Sequence, residues 1–154
     1  MVNQRGQIVM SDDEIEEFLT QQRSSTVATI GPQGQVHLVA MWYAWHDGHV
    51  WIETKHKSQK VVNLRRNPRM SFLVETGHTY DQLRGVALEG TGTIIEDLDV
   101  VWDVCVNVFE RYNAPYTEEM KPFVEAMLRK RVVVKLHVDK TVTWDHRKLG
   151  LPGM

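Results

Sequence analysis

The chain contains a single cysteine, Cys105, in 154 residues. An internal disulfide is thereby excluded, and no Cys/His spacing matches a zinc site, so no bound metal is expected. There is no GxGxxG stretch and no alternating βαβ pattern, which argues against a Rossmann dinucleotide site. A charge excess is lacking as well. The 18 lysines and arginines nearly balance 20 aspartates and glutamates, leaving a net −2, which speaks against a general nucleic-acid binder. No apolar run is long enough to span a bilayer, and the first residues do not resemble a secretory signal. A cytoplasmic protein with neither nucleic-acid nor membrane partners is expected. Internal repeats, low-complexity stretches and a recognisable catalytic triad are also missing.

What is present is enough for one domain over residues 1–154, with 1–10 read as a loosely held arm. Ser11 and Glu14 form a capping box, and Ile15, Phe18 and Leu19 supply the apolar stripe of a short helix. Strand signals follow at Ser25–Ile30, at Gln35–Trp45 after the turn Gly31-Pro32-Gln33-Gly34, and at Val50–Thr54 after the hairpin turn Asp47-Gly48. Further strands are expected at Arg69–Glu75, Leu83–Ile95, Arg131–Val138 and Thr141–His146. Gly85, Gly90 and Gly92 inside the Leu83–Ile95 stretch predict bulges or sharp bends. A helix carries Leu98, Val101, Trp102, Cys105, Val108, Phe109 and Tyr112 on one stripe, which places Cys105 in the core. A second helix is expected over Glu118–Lys130, and Leu149–Met154 reads as an exposed tail. Mostly antiparallel strands with few helices and bend-forming glycines favour a small barrel over a doubly wound sheet.

The Gln35–Trp45 strand is unusual because both of its faces are apolar. Val36, Leu38, Ala40, Trp42 and Ala44 alternate with His37, Val39, Met41, Tyr43 and Trp45. One set can fill a barrel. The other must meet a partner subunit, a flat ligand, or covering helices.

A basic loop supplies the chemical clue. Lys55-His56-Lys57-Ser58 follows a strand and leads into the short helix Gln59–Arg66, stopped by Asn67-Pro68-Arg69. The free N–H groups of a first helical turn, the positive dipole end and added lysines together make a place for phosphate. The competing reading is a solvated charged face.

These residues in this order resemble the flavin- and deazaflavin-binding split barrels related to pyridoxamine 5′-phosphate oxidase. The matching residues are Glu53-Thr54, Ser58-Gln59-Lys60, Asn67-Pro68-Arg69, and Leu83-Arg84-Gly85-Val86 with Gly90. The resemblance implies a mainly β, α+β fold: an FMN-binding-like split β-barrel, homodimeric, with two cofactor sites at the subunit interface. It assigns Thr54, Ser58 and Lys60 to the cofactor phosphate, with Lys55 and Lys57 as further cationic arms. The backbone around Val39, Met41 and Trp42 is expected to face the ring, and Tyr80, Arg84 and Trp144 to approach from the partner chain. Three departures are evident. Gln59 replaces an arginine and Gly85 a glutamine of the oxidase, and the C-terminal stretch that grips the pyridoxal substrate is absent. Lys-x-Lys-Ser-x-Lys and Trp144-Asp145-His146-Arg147-Lys148-Leu149-Gly150-Leu151-Pro152 look closer to the actinobacterial branch that uses coenzyme F420. Lys55, Lys57 and Arg66 would suit that cofactor's polyglutamate tail.

The resemblance therefore implies an oxidoreductase that uses F420 to reduce an activated double bond of a small molecule. An FMN enzyme of the pyridoxamine phosphate oxidase type is the alternative, and a non-catalytic carrier of a flavin, a deazaflavin or haem is another. Tyr43, Tyr80, His56 and His78 are candidate proton donors, none of them preferred, so no catalytic residue is assigned.

Overall fold

A computed structural model describes residues 3–151. Seven strands form one antiparallel sheet: β1 (Ser25–Ile30), β2 (Val36–Met41), β3 (Ala44–His46), β4 (His49–Lys55), β5 (Arg69–Thr76), β6 (Arg84–Ile95) and β7 (Arg131–Asp145). Their order is β2-β1-β5-β6-β7-β4-β3, curled into a half-barrel. Five helices accompany it: α1 (Gln4–Gln7), α2 (Asp12–Gln21), α3 (Gln59–Arg66), α4 (Leu98–Tyr112) and α5 (Lys121–Leu128). The split-barrel expectation holds, and none of these helices is long and apolar enough to cross a membrane.

Alternation along the strands creates two cores. Val27, Phe72, Val74, Val86, Leu88 and Leu136 point into the curl, where Phe18 and Leu19 of α2 and Leu64 of α3 join them. On the outer face, Trp51 and Val133 meet Val101, Val104, Cys105 and Val108 of α4 and Val124 of α5. Cys105 is fully buried, as its helical position predicts, and burial pushes its thiol up to about 12. The two helices cover only the β3-β4-β7 side of the sheet. Across the remaining strands, Ala40, Thr26, Leu73, Ala87 and Val142 stand in one cross-strand row, with Leu38 and Ala28 beside it. Leu38 is 65% and Val36 53% exposed, so helices do not close this apolar face.

The structure corrects several expected boundaries. The Gln35–Trp45 strand breaks at Trp42-Tyr43. There, Trp42 stacks on Tyr112 of α4, with ring centroids 4.2 Å apart, and the Tyr43 hydroxyl donates to the carbonyls of Leu19 and Gln22. Partners on two helices thus turn the chain out of the sheet. The two C-terminal strands are one continuous β7 with a bulge. Lys140 pairs with Glu89 and Val138 with Gly90, leaving Asp139 as the extra residue. Only glycine fits at position 90, because a Cβ there would overlap the His137 carbonyl.

The second expected helix begins as a 3-10 turn, Glu118–Met120, because Pro122 occupies the first turn of α5. It ends before Lys130, which takes φ 57°. Of the expected loose arm, residues 8–10 are docked, residues 3–7 are exposed, and Met1 and Val2 lie outside the described residues. Ile8 accepts from the Asp145 N–H at 2.7 Å, the Met10 N–H donates to the Thr143 hydroxyl at 2.9 Å, and Met10 is buried. Within the expected tail, Leu149 closes a 3-10 turn, His146–Leu149, while 152–154 lie outside the described residues.

A collar of two arginines joins α2 to α4. Arg111 donates to the carbonyls of Leu19, Thr20 and Gln22, and Arg23 to those of Thr20, Gln21, Gln22 and Arg111. Cations at a helix C-terminus satisfy its orphan carbonyls and meet the negative dipole end.

Candidate functional site

The end of β4, the loop after it and the start of α3 form the candidate anion site. Ser58 occupies the N-cap of α3 in an extended conformation but makes no side-chain cap bond. The first N–H groups of the helix therefore lack that partner, although the Val61 N–H donates to the Ser58 carbonyl at 3.1 Å. The loop itself is held in place. Ser58 N–H donates to the Lys55 carbonyl at 3.0 Å, and His56 N–H to the Lys130 carbonyl at 2.9 Å. The His56 ring, through Nδ1, lies 2.9 Å from the same Lys130 oxygen, so this imidazole serves as a loop anchor.

Lys60 reaches back from α3 into this loop. Its Nζ donates to Thr54 Oγ1 at 2.9 Å, and that hydroxyl donates in turn to Ser58 Oγ at 3.3 Å. Thr54 is buried and Lys60 is only 9% exposed, which is uncommon for a lysine. Burial, then the Arg131 guanidinium, depress the ammonium's pKa, while Glu53 opposes them. The Glu53 side chain, 9% exposed, lies 2.6 Å from Arg131 Nη1. Burial pushes the Glu53 carboxyl above its ordinary value, against the pull of Arg131 and Lys60. Arg131 thus pairs directly with this carboxylate, whereas Lys60, bonded to the Thr54 hydroxyl, is a buried cation that an incoming anion would neutralise.

Val39 and Met41 direct their side chains inward against the core, so what β2 presents outward at these residues is main chain. This is an edge strand, with β1 its one strand partner among the described residues. Its free backbone groups are available to a flat polar ring. Trp42 stands 57% exposed at the end of the strand, on the Tyr112 ring.

Thr54, Ser58 and Lys60 are thus in direct contact, with Lys55 and Lys57 exposed on the same loop. Arg66 closes the far end of α3 and donates to the Ile30 carbonyl, away from those lysines along the helix. Tyr80, Arg84 and Trp144 lie apart from these, each with its own partners. His146 Nδ1 lies 2.7 Å from the Tyr80 carbonyl and its ring packs on the Tyr80 ring, Arg84 lies over Phe18, and Trp144 lies on Gly85. Beside Arg84, Asp145 receives two bonds from the Arg147 guanidinium, at 2.9 and 2.7 Å. A cavity of about 280 Å³ opens there between α2 and Arg84, Asp145 and Arg147. Of the candidate proton donors, Tyr43 is fully buried, its hydroxyl is bound to two carbonyls, and burial raises it to about 12. Sequence reasoning missed Glu53 and Arg131 as members of the site. Their cross-strand proximity on β4 and β7 depends on register, which no local pattern reveals. No group of three potential metal ligands occurs among the described residues.

The comparisons agree with this fold. The family model described as pyridoxamine 5′-phosphate oxidase matches residues 11–145. The crystal structure of a conserved hypothetical protein from Mycobacterium tuberculosis is 57% identical, with a TM-score of 0.96 over 99% of this chain and 96% of that one. An F420 reductase superposes with a TM-score of 0.64 at 24% identity, covering 82% of this chain and 94% of its own. HutZ, the haem storage protein of Vibrio cholerae, superposes with a TM-score of 0.68 at 15% identity, covering 85% and 93%. At such identities these last two share the fold. No curated protein matches the chain. On its fold and on the length of the family match, the chain belongs to the pyridoxamine 5′-phosphate oxidase family of split barrels.

Proposed function

We propose that this protein is an oxidoreductase that holds coenzyme F420 at the interface of a homodimer and reduces an activated double bond of a small molecule. The observation that carries this reading is the buried Lys60, tethered to Thr54 beside an uncapped helix start. A cation in such a place is costly unless an anion shares it. The phosphodiester of the cofactor would meet Lys60, Ser58 and the first N–H groups of α3. Lys55 and Lys57 would follow the anionic tail into solvent. The bare apolar face around Leu38, Leu73 and Val142 supports a dimer, and Trp144 belongs to the same outer face through its pairing with Gly85. When bound, a reduced deazaflavin supplies a hydride from its ring. The chain's own part is to fix the phosphate end, to present the β2 edge to the ring and to exclude water. Tyr80, half exposed, is better placed than Tyr43 to give up a proton.

FMN is the second reading, favoured by the Thr54–Ser58–Lys60 contacts, which need only a single phosphate. Both cofactors should be titrated into the wild type and into a Lys55→Glu/Lys57→Glu variant at low and moderate salt. Tail contacts near solvent predict that the variant loses F420 affinity more than FMN affinity, and most strongly at low salt. Equal losses would restrict the lysines to the common phosphate and favour FMN. Binding of either cofactor without turnover of any acceptor would instead favour a carrier, the role stated for the haem storage protein of the same fold.

A further inference from the structure

The groove between α4 and the β3–β4 hairpin holds an arrangement that the phosphate loop does not use. Trp102 of α4 and Tyr116, just beyond that helix, meet at 89° with ring centroids 5.9 Å apart. Two rings at a right angle leave a corner walled by a face of each, and aromatic faces carry the negative part of the ring quadrupole. Both rings pack against the outer core, so the corner is held in shape. A cavity of about 430 Å³ opens there. Its other polar groups also present negative charge. Asp103 and Glu110 are exposed, line the cavity from successive turns of α4, and make no side-chain hydrogen bond or ion pair among the described residues. Asn107 fixes the floor: its Nδ2 donates to the Trp45 carbonyl at 3.4 Å, while its Oδ1, closed off from water, accepts no hydrogen bond and adds an unshared negative dipole end. No lysine or arginine lines the cavity, and the His46 ring on its wall is already 3.3 Å from the Asp47 carboxylate.

We propose that this corner binds a small organic ammonium ion, an alkylated cation seated against the faces of Trp102 and Tyr116, with Asp103 and Glu110 as its counter-charges. Alkylation decides the class. A bare ammonium is compact and strongly hydrated, and exposed carboxylates give it little reason to leave water. An alkylated one sheds its water at small cost, and its methyl groups meet the ring faces and the Val106 side chain while its charge is felt through them. The site lies at the His46–His49 end of the hairpin, about 17 Å along β4 from Thr54 at the usual rise per residue. It therefore does not rest on the phosphate reading, and its ligand is distinct from the cofactor.

The test is a titration of the full chain, labelled with nitrogen-15 at its tryptophans, with choline, with its uncharged carbon isostere 3,3-dimethylbutan-1-ol, and with n-butylammonium, at constant ionic strength and without cofactor. The Trp102 indole N–H resonance is identified by its loss in Trp102→Phe. Choline is expected to move that resonance saturably, with a dissociation constant in the millimolar range. The isostere should bind about tenfold more weakly, the worth of a cation against aromatic faces. Butylammonium should also bind more weakly than choline. Asp103→Asn combined with Glu110→Gln should weaken choline several-fold, and more so at low salt. Equal binding of choline and the isostere would reduce the corner to an apolar dent and overturn the proposal. Tighter binding of butylammonium than of choline would leave the carboxylates alone in charge and overturn it too, as would a Trp102 resonance that choline does not move. Should Trp102→Phe not fold, the resonance is assigned through bonds in the wild type. The comparison of choline with its isostere then decides, together with the double variant at its two exposed positions.

Discussion

Trp144 lies so close over Gly85 that a Cβ on residue 85 would overlap the indole ring. The two residues face each other across β6 and β7, and the missing side chain of one makes the bed of the other. Gly85→Ala must therefore lift the indole or move a strand. A loss of about 1–3 kcal/mol, typical of overpacking, is expected in denaturant unfolding. The tryptophan emission should shift as well, and Gly85→Ala combined with Trp144→Ala should recover part of the stability. A Gly85→Ala protein with unchanged emission and stability would contradict the packing described.

Removing the buried cation separates binding from folding. Lys60→Met is expected to weaken FMN and F420 by about 1–3 kcal/mol, the worth of a charge-assisted phosphate contact. The unliganded protein should melt no lower than the wild type, since replacing a buried charge by an apolar chain is often neutral or stabilising. Melting curves with and without cofactor check both halves. A variant that binds as well as the wild type would remove Lys60 from the site.

The bare outer face predicts the assembly. Leu38→Glu places a charge on the most exposed large residue of β2, in the row beside Leu73 and Val142. Sedimentation should find the wild type dimeric, with on the order of 2,000 Å² buried in total, and the variant shifted toward monomer. Cofactor affinity should fall with it, because the site is proposed to need both chains. A wild-type protein that sediments as a monomer at micromolar concentration would end this reading.

Acid should unfold the protein partly through Asp145. Its bonds from the Arg147 guanidinium and backbone N–H hold the carboxyl below the usual aspartate range in the folded state. The stability it contributes is thus fully present above the unfolded pKa, and it is lost as pH falls through the lower folded value. Glu53 has the opposite sign: its raised folded pKa favours the folded state at acid pH and works against it as pH rises. Asp145→Asn should flatten the acid limb of a stability–pH profile, and Glu53→Gln should reduce the decline on the alkaline side of the carboxylate range. Parallel profiles for both variants and the wild type would show that neither group is linked to folding.

The family and most strands were legible because their signals are local. The Ser11–Glu14 capping box, the Asp47-Gly48 turn with φ 51° and 69°, and the Pro68 stop after α3 act within a few residues. The order Thr54, Ser58, Lys60, Asn67-Pro68 then sufficed to identify the family. What stayed hidden depends on distant partners. The break at Trp42-Tyr43 follows from Tyr112 and the Leu19 carbonyl. The docking of residues 8–10 follows from Thr143 and Asp145. The merging of two strands into β7 follows from the fit of Gly90 to the His137 carbonyl. Arg66 shows the same limit: its charge was plain in the sequence, but its commitment to the Ile30 carbonyl was not.

The arginine collar on α2 has a consequence for the order of events during synthesis. The carbonyls that end α2 wait for a guanidinium 89 to 92 residues further along the chain. While a ribosome is still making β5 and β6, that helix end has Arg23, the Tyr43 hydroxyl and water to satisfy it. The half-barrel waits longer still, because β7, from residue 131 onward, is the strand that joins β6 to β4. The earliest segments therefore emerge into a cell as the least finished ones, with apolar β2 exposed beside them. Such late closure lengthens the interval in which nascent chains depend on chaperones and on one another.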